Sequence, residues 1–159
     1  MRLFVDDVLQ RYGAGDRNFA STELDDLKFR DHDLSGINLE SASLDGVYFL
    51  GTNLQGANLQ RANLVDANFR QANLRQANLA GAELEGADLG GSDLSGANLE
   101  GANLRSASLR DANLENANLT GANLKGAALH NAQLRGANLD DAKLDGAYLK
   151  GTVLEAESS

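Results

Sequence analysis

Residues 52–81 read TNLQG-ANLQR-ANLVD-ANFRQ-ANLRQ-ANLAG, six successive segments of five residues with one shared pattern. Outward from this stretch, Leu or Phe occupies every fifth position from Phe19 to Leu154, which makes 28 consecutive pentapeptides. With the central Leu or Phe called position i, Ala stands at i−2 in 19 of the 28 and Gly stands at i+2 in 14. Most of the 159-residue chain is therefore one tandem repeat.

A period of five fits neither regular secondary structure. An α-helix would spread the central side chains around its circumference, and a flat strand would alternate them between two faces. A short extended segment followed by a corner does repeat every five residues, and Gly at i+2 supplies the positive φ that a type II turn requires. Four such pentapeptides, one for each side, close a square coil. We therefore expect positions i and i−2 to point inward and the other three to point outward.

The repeat resembles the pentapeptide-repeat family, whose motif Ala-(Asp/Asn)-Leu-X-X stands at Ala57-Asn58-Leu59 and at Ala97-Asn98-Leu99. The resemblance covers residues 17–156. It implies an all-β solenoid, a right-handed quadrilateral β-helix of about seven four-sided coils, with about 4.8 Å between stacked strands.

The residues before the repeat have a different pattern. Apolar residues at helical spacing predict a short amphipathic helix over residues 3–12, and Gly13 and Gly15 are typical of its end. These apolar residues are Phe4, Val5, Val8, Leu9 and Tyr12. A solenoid needs a terminal cap, so we assign residues 1–16 to a capping helix and connector, 17–156 to the β-helix and 157–159 to a C-terminal tail. Residues 12–19 also resemble the N-terminus of cyanobacterial members of the family, which implies the same cap.

Composition limits the classes of function. The chain has no Cys, which removes disulfides, thiolate metal sites and a Cys nucleophile. Its net charge of −9 argues against binding of phosphate backbones, which requires clustered Lys and Arg. The N-terminus lacks the apolar run of a signal peptide, and no stretch of about 18 apolar residues is present. We therefore expect a cytoplasmic protein without a membrane span.

Positions four pentapeptides apart should stack along the rod. Phe29, Phe49 and Phe69 share one inward column and are expected to pack in register, and His32, at an i−2 position, is expected to be buried under the cap. One outward column contains only Asn, and we interpret it as structural, with the amides bonding backbone groups at turns. Its members are Asn18, Asn38, Asn58, Asn78, Asn98, Asn118 and Asn138.

Charge separates two neighbouring sides of the predicted rod. The side that carries Leu24, Leu44, Leu64 and Leu84, called the acidic face below, has no Lys or Arg in those four coils. Its acidic residues are Glu23, Asp25, Asp26, Asp45, Asp66, Glu83 and Glu85. The next side, called the basic face below, comprises residues 28–30 and the equivalent segments of the later coils. It carries Lys28, Arg30, Arg70, Arg110 and Lys150. An ordinary solvated surface is the alternative interpretation of both faces.

The first candidate for a partner-binding patch lies on the basic face. Tyr48 and Leu50 point outward there, flanked in neighbouring coils by Lys28, Arg30 and Arg70. Aromatic and Arg side chains are the usual energetic anchors of protein interfaces.

The second candidate patch is the C-terminal end. Tyr148 and Val153 stand at i−1 positions that are usually polar, and five residues follow Leu154. An open last coil exposes apolar side chains and strand edges. Either the final residues fold over it or two chains meet there as an end-to-end homodimer.

No constellation favours catalysis. His32 and His130 lie several coils apart, and the carboxylates of the acidic face stack on a convex surface, whereas acid–base chemistry needs a recess. We expect no catalytic, cofactor-binding or metal-binding residues. The leading hypothesis is a non-enzymatic module that presents flat charged faces to a protein partner.

Two further hypotheses follow from the resemblance. Some members of the family mimic duplex DNA and inhibit DNA gyrase, a type II topoisomerase, and the negative charge of this chain fits that role. A mimic, however, would carry acidic residues on two adjacent faces, and here a basic face adjoins the acidic one. The other hypothesis is a regulatory role of the cyanobacterial kind. Direct nucleic-acid binding is not expected, and the sequence leaves the partner and the oligomeric state open.

Overall fold

The chain is organised by a ladder of parallel β-bridges. The computed structural model describes residues 1–155, so the predicted repeat end at 156 and the tail at 157–159 lie outside the described residues. From Asn18 onward every bridge joins residues four pentapeptides apart, for example Asn18 with Asn38 and Asn38 with Asn58. The bridges are isolated, and no β-strand of several residues occurs within 1–155. The predicted register of four pentapeptides is therefore present.

The corners stand where the sequence predicts them. Every i+2 residue from Ser21 to Gly151 has positive φ, in 14 Gly and 13 other residues. The N–H after the corner donates to the C=O of the central residue, as Ala62 does to Leu59 at 3.1 Å, which is the closing bond of a β-turn. Non-Gly corners such as Arg61 and Gln71 adopt this conformation against a left-handed cost of about 1–2 kcal/mol each.

The core consists of the central residues and the Ala at i−2. From Phe19 to Leu134 every central residue is at most 4% exposed. The ring centroids of Phe29, Phe49 and Phe69 lie 5.5 and 5.4 Å apart, which confirms the predicted in-register stack. In the last coil Leu139, Leu144, Leu149 and Leu154 are only partly buried.

Helix α1 spans Val5–Gly13 and packs against the first coil. Val8 is fully buried. Val5, Leu9 and Tyr12 are partly buried against the core. The Tyr12 hydroxyl donates to the C=O of Ser35 at 2.7 Å. The predicted amphipathic helix therefore exists, displaced toward the C-terminus relative to the predicted 3–12.

Two residues near this end were predicted wrongly. Phe4 is 62% exposed, because residues 1–3 pair with Glu23 and turn Leu3 inward instead. His32 is exposed rather than buried. His32 belongs to the first coil, below which no other coil lies. Helix α1 contacts this coil at Phe19, through Arg11, and at Ser35, through Tyr12, rather than at His32.

Asp16 joins α1 to the repeat. Its carboxylate accepts the N–H of Asn18 at 2.9 Å and two bonds from the Arg11 guanidinium at 2.9 and 2.7 Å. These bonds, the one from Asn18 first, hold the pKa of Asp16 below its ordinary value of 3.8. Arg11 also lies over the Phe19 ring, 4.5 Å from its centroid.

Candidate protein-binding faces

The Asn column is structural, as predicted. Each of its seven Oδ1 atoms accepts the backbone N–H two residues later, at 3.0–3.2 Å. The amides also bond one another in two places, from Asn38 to Asn18 at 3.3 Å and from Asn118 to Asn98 at 3.4 Å. The i+1 N–H is the one that neither the turn nor the ladder uses, so the Asn at i−1 completes the backbone pairing of its pentapeptide.

On most of the basic face, as far as residue 155, no side chain at i−1 accepts the i+1 N–H. Only Asn68 and Asp88 accept there, from the N–H groups of Arg70 and Gly90, each at 2.9 Å. Other residue types fill the remaining i−1 positions. Among residues 1–155 no acceptor pairs with the backbone N–H groups of Arg30, Leu50, Arg110, His130 and Lys150. The basic face therefore presents open backbone donors as well as cationic side chains.

The predicted patch on the basic face is contiguous. The backbone of Tyr48 bridges to Lys28 on one side and to Asn68 on the other, which sets the three coils in order. Tyr48 and Leu50 are partly buried, and Lys28, Arg30 and Arg70 are exposed. Arg30 lies 3.4 Å from Asp31, and Arg70 lies 3.4 Å from Asp88, so two cations of the patch have acidic neighbours.

Sequence reasoning missed a notch on the same face. It has a volume of about 340 Å³ and lies between Arg70 and Arg110, with Gln71, Gly90, Gly91 and Asp111 completing its lining. Gly90 is the only Gly at an i+1 position of the 28 pentapeptides, and its φ is not positive. Its backbone therefore has no need of Gly, and what this departure from the pattern signals is room for the Arg70 guanidinium, since similar notches lie beside Ala80 and Ser95.

The acidic face is confined to the N-terminal part of the rod. All seven predicted residues are exposed except Asp25, which is partly buried and accepts Ser43 Oγ at 2.6 Å and the N–H of Asp45 at 2.9 Å. Beyond Glu85 the same column continues with Arg105 and Lys125, so the acidic surface ends there.

The predicted C-terminal patch is exposed. Tyr148 and Val153 are 58% and 67% exposed, and Leu154 is partly buried. The Tyr148 ring stacks on His130 at a centroid distance of 5.5 Å. The Nδ1 atom of His130 is buried and has no hydrogen-bond partner in the described part of the chain.

Two negative findings apply to residues 1–155. No helix there combines the length and apolar character needed to span a bilayer. No group of three or more His, Asp or Glu side chains in that range is arranged to share a metal ion.

A family model described as pentapeptide repeats matches the chain in eight copies, over residues 33–71, 62–101, 82–121, 97–136 and 117–155. No curated protein gives a significant sequence match. A solved pentapeptide repeat protein from the thylakoid lumen of Arabidopsis thaliana is 33% identical, with a TM-score of 0.59 over 60% of this chain and 66% of that one. One from Nostoc PCC 7120 is 35% identical, with a TM-score of 0.51 over 77% and 82% of the two chains.

A third solved structure is a trypsin-treated form of QnrB1, a plasmid-mediated fluoroquinolone resistance protein. It is 27% identical, with a TM-score of 0.62 over 86% of this chain and 67% of that one. The match thus spans about two thirds of the length of the Arabidopsis protein and of this form of QnrB1.

Proposed function

The chain belongs to the pentapeptide repeat family, which folds as a right-handed quadrilateral β-helix, and from this premise we propose that it is a non-enzymatic module that binds a protein partner through its basic face. The observation that supports this most is the contrast between two columns. On the Asn column every i+1 N–H is paired, whereas on the basic face five have no acceptor in residues 1–155. A surface that only had to fold would gain from Asn there too.

The side chains of this face fit the role of an interface. Tyr48 and Leu50 provide an apolar centre, and Lys28, Arg30 and Arg70 surround it with charge. Interfaces commonly combine a few aromatic or Arg anchors with a polar rim. The chain as a whole carries a net charge of −9, so a cationic face on it distinguishes one side from the rest.

The test is affinity capture from a cell lysate with the wild-type chain, with Tyr48→Ala/Leu50→Ala/Arg70→Ala and with the control Gln55→Ala/Arg75→Ala/Arg135→Ala. The control removes three long exposed side chains from the neighbouring face, which carries no predicted site. We expect a partner that the first variant loses and the control retains, with unchanged circular dichroism. A partner retained by both would contradict the assignment to the basic face.

One alternative function has an observation in its favour. Six of the seven residues of the acidic face are exposed, and the fold is similar to that of QnrB1, so a DNA mimic that regulates a type II topoisomerase is the second candidate. Asp45→Asn/Asp66→Asn/Glu85→Gln should abolish any inhibition of such an enzyme if this candidate is correct. A cyanobacterial-type regulatory role is the third, for which the similar Nostoc protein supports the cyanobacterial likeness alone.

The proposed module has a capped N-terminal end and a C-terminal end that pairs with a second chain. We propose that the repeat, described as far as residue 155, forms about seven coils of four pentapeptides each, and that residues 1–16 cap the first coil. The exposed Tyr148 and Val153 with Leu154 form an end at which two chains meet as a homodimer. The cytoplasmic location stays a prediction, since the similar Arabidopsis protein resides in the thylakoid lumen.

A further inference from the structure

We propose that the notch over Gly90, between Arg70 and Arg110, binds a carboxylate carried by an acidic α-helix of a protein partner. The inference rests on the proposed protein-binding role of the basic face. It adds a subsite beside the Tyr48 and Leu50 patch, with which the subsite shares Arg70, and states the chemistry of what binds there.

Arg110 brings two hydrogen-bond donors to the notch that are unpaired in the described part of the chain, its guanidinium and its backbone N–H. The Arg110 guanidinium makes no ion pair or side-chain hydrogen bond within residues 1–155, although Asp111 is its neighbour in sequence. The backbone N–H of Arg110 has no acceptor in the same range, because the residue two positions earlier is Ser108 rather than Asn. A guanidinium fork pairs with a carboxylate through two parallel bonds, and charge-assisted bonds of this kind are the strong ones.

Gly90 makes room for the Arg70 guanidinium at the edge of the notch. A Cβ at this position would lie 3.2 Å from Nη1 of Arg70 and 3.1 Å from Oδ1 of Asp88. The Arg70 guanidinium therefore covers the backbone of Gly90, which is buried, and lines the notch together with Arg110. Since the φ of Gly90 is not positive, room beside the backbone is the property that Gly provides here.

The spacing of the cations favours a helix. Arg30, Arg70, Arg110 and Lys150 stand in one column at intervals of two coils, or about 9.6 Å at the spacing of parallel strands. Residues seven apart in an α-helix lie on one side and are about 10.5 Å apart. In an extended strand, residues at about 10 Å are three apart and point to opposite faces. Only the helix keeps a row of carboxylates over this column.

Two acidic residues of the chain itself oppose the ligand. Oδ2 of Asp88 lies 3.4 Å from Nη1 of Arg70, while its Oδ1 accepts the Gly90 N–H at 2.9 Å. Asp111 lines the other side of the notch. Asp88→Asn keeps an acceptor for Gly90, as Asn68 does for Arg70 one coil earlier, and removes one negative charge. We therefore expect Asp88→Asn to bind the acidic helix more tightly than the wild type does.

The experiment measures fluorescence anisotropy of labelled Ala-based helical peptides of about 25 residues, long enough to span the column. One peptide carries four Glu seven residues apart, the second carries Gln at those positions, and the third carries Glu five residues apart. The proteins are the wild type, Gly90→Gln, Arg110→Gln, Asp88→Asn and the control Arg105→Gln. Arg105 lies in the same coil as Arg110 but on another face. Gln at i+1 is native at Gln55 and Gln60, so Gly90→Gln suits the fold.

We expect the wild type to prefer the first peptide by about tenfold, which one charge-assisted pair would supply. Gly90→Gln and Arg110→Gln should remove most of that preference, Arg105→Gln should change it by less than about twofold, and Asp88→Asn should increase it by about threefold. Equal binding of the three peptides would overturn the proposal, as would equal effects of Arg110→Gln and Arg105→Gln. The lysate variant removes Arg70, which also lines the notch, so Gly90→Gln and Arg110→Gln, which leave Tyr48, Leu50 and Arg70 intact, test the subsite separately. A partner lost by that variant together with a negative peptide result would retain the proposed function and reject this subsite.

Discussion

Replacing Gly51 by Ala tests how closely successive corners fit together. Gly51 and Gly101 are both corner residues with φ +65, so an added Cβ has the same backbone cost at each. At Gly101 the Cβ would meet no atom within 4 Å, whereas at Gly51 it would collide with Oδ1 of Asp31, the corner residue one coil below. Gly101→Ala is therefore the matched control for Gly51→Ala.

The expected magnitudes follow from two separate costs. Ala in the left-handed conformation destabilises the fold by about 1–2 kcal/mol. Ala also lowers the conformational entropy of the unfolded chain, which stabilises the fold by about 0.4–1 kcal/mol. Gly101→Ala should therefore lower the free energy of unfolding by about 1 kcal/mol. Gly51→Ala must also turn the Asp31 carboxylate aside, at about 1 kcal/mol for a displaced rotamer. Asn131 stands above Asp111 without Gly, which shows that a corner Asp can turn its carboxylate away and limits this second cost. We expect a total loss of about 2 kcal/mol.

Urea unfolding followed by circular dichroism measures both losses, and an unchanged slope shows that the variants unfold comparably. Asp31→Ser completes a double-mutant cycle with Gly51→Ala, since Ser41 already stands below the non-Gly corner Arg61. The cycle should show a coupling of about 1 kcal/mol, because Gly51→Ala should destabilise the Asp31→Ser variant less than it destabilises the wild type. Equal losses for Gly51→Ala and Gly101→Ala, or zero coupling, would refute the steric reasoning.

Three other perturbations have definite expectations. Phe49→Leu should cost about 2 kcal/mol, more than Phe69→Leu, because Phe49 stacks on rings both above and below it, and equal urea midpoints would contradict this. Asp16→Asn should lower Tm at pH 7, but the difference in Tm from the wild type should shrink below about pH 4. Folding lowers the pKa of Asp16, so its carboxylate stabilises the fold fully above the unfolded pKa and loses this effect as the pH falls through the folded pKa. A difference in Tm that does not change with pH would exclude this cause. Tyr148→Asp should convert an end-to-end dimer to monomer in sedimentation, whereas Tyr48→Asp, far from that end, should leave the mass unchanged; a monomeric wild type would reject the dimer.

The inward-facing pattern was predictable because one simple rule covers it. A central Leu and an Ala two residues earlier leave one arrangement in which both are buried, and burial follows this rule from Phe19 to Leu134 apart from the i−2 residues Leu27 and His32. The rule fails at the first coil, where no lower coil imposes it. His32 is exposed there, and the pairing of residues 1–3 displaces Phe4.

The candidate site was less predictable, because it depends on an absent hydrogen-bond acceptor and an absent side chain. The sequence shows Tyr48 and Arg70 on one face, but the unpaired N–H of Arg110 becomes visible only when the paired N–H groups of the Asn column are traced. Gly90 stands among 17 Gly residues, and its φ separates it from those at corners. Residue type alone could not show that space, rather than a turn, is what this Gly provides.

The core repeats with every pentapeptide, whereas the surface repeats only with every full coil, and this difference governs which changes of length the chain can absorb. An insertion of one pentapeptide between Gly90 and Arg110 would leave every Leu inside, yet it would carry Arg110 around to the next side, out of line with Arg70. An insertion of four pentapeptides would lengthen the rod and keep both in one row. Selection for folding alone would tolerate gains and losses of single pentapeptides, whereas selection for a binding surface would admit only multiples of four, so lineages that share this surface should differ in length by whole coils.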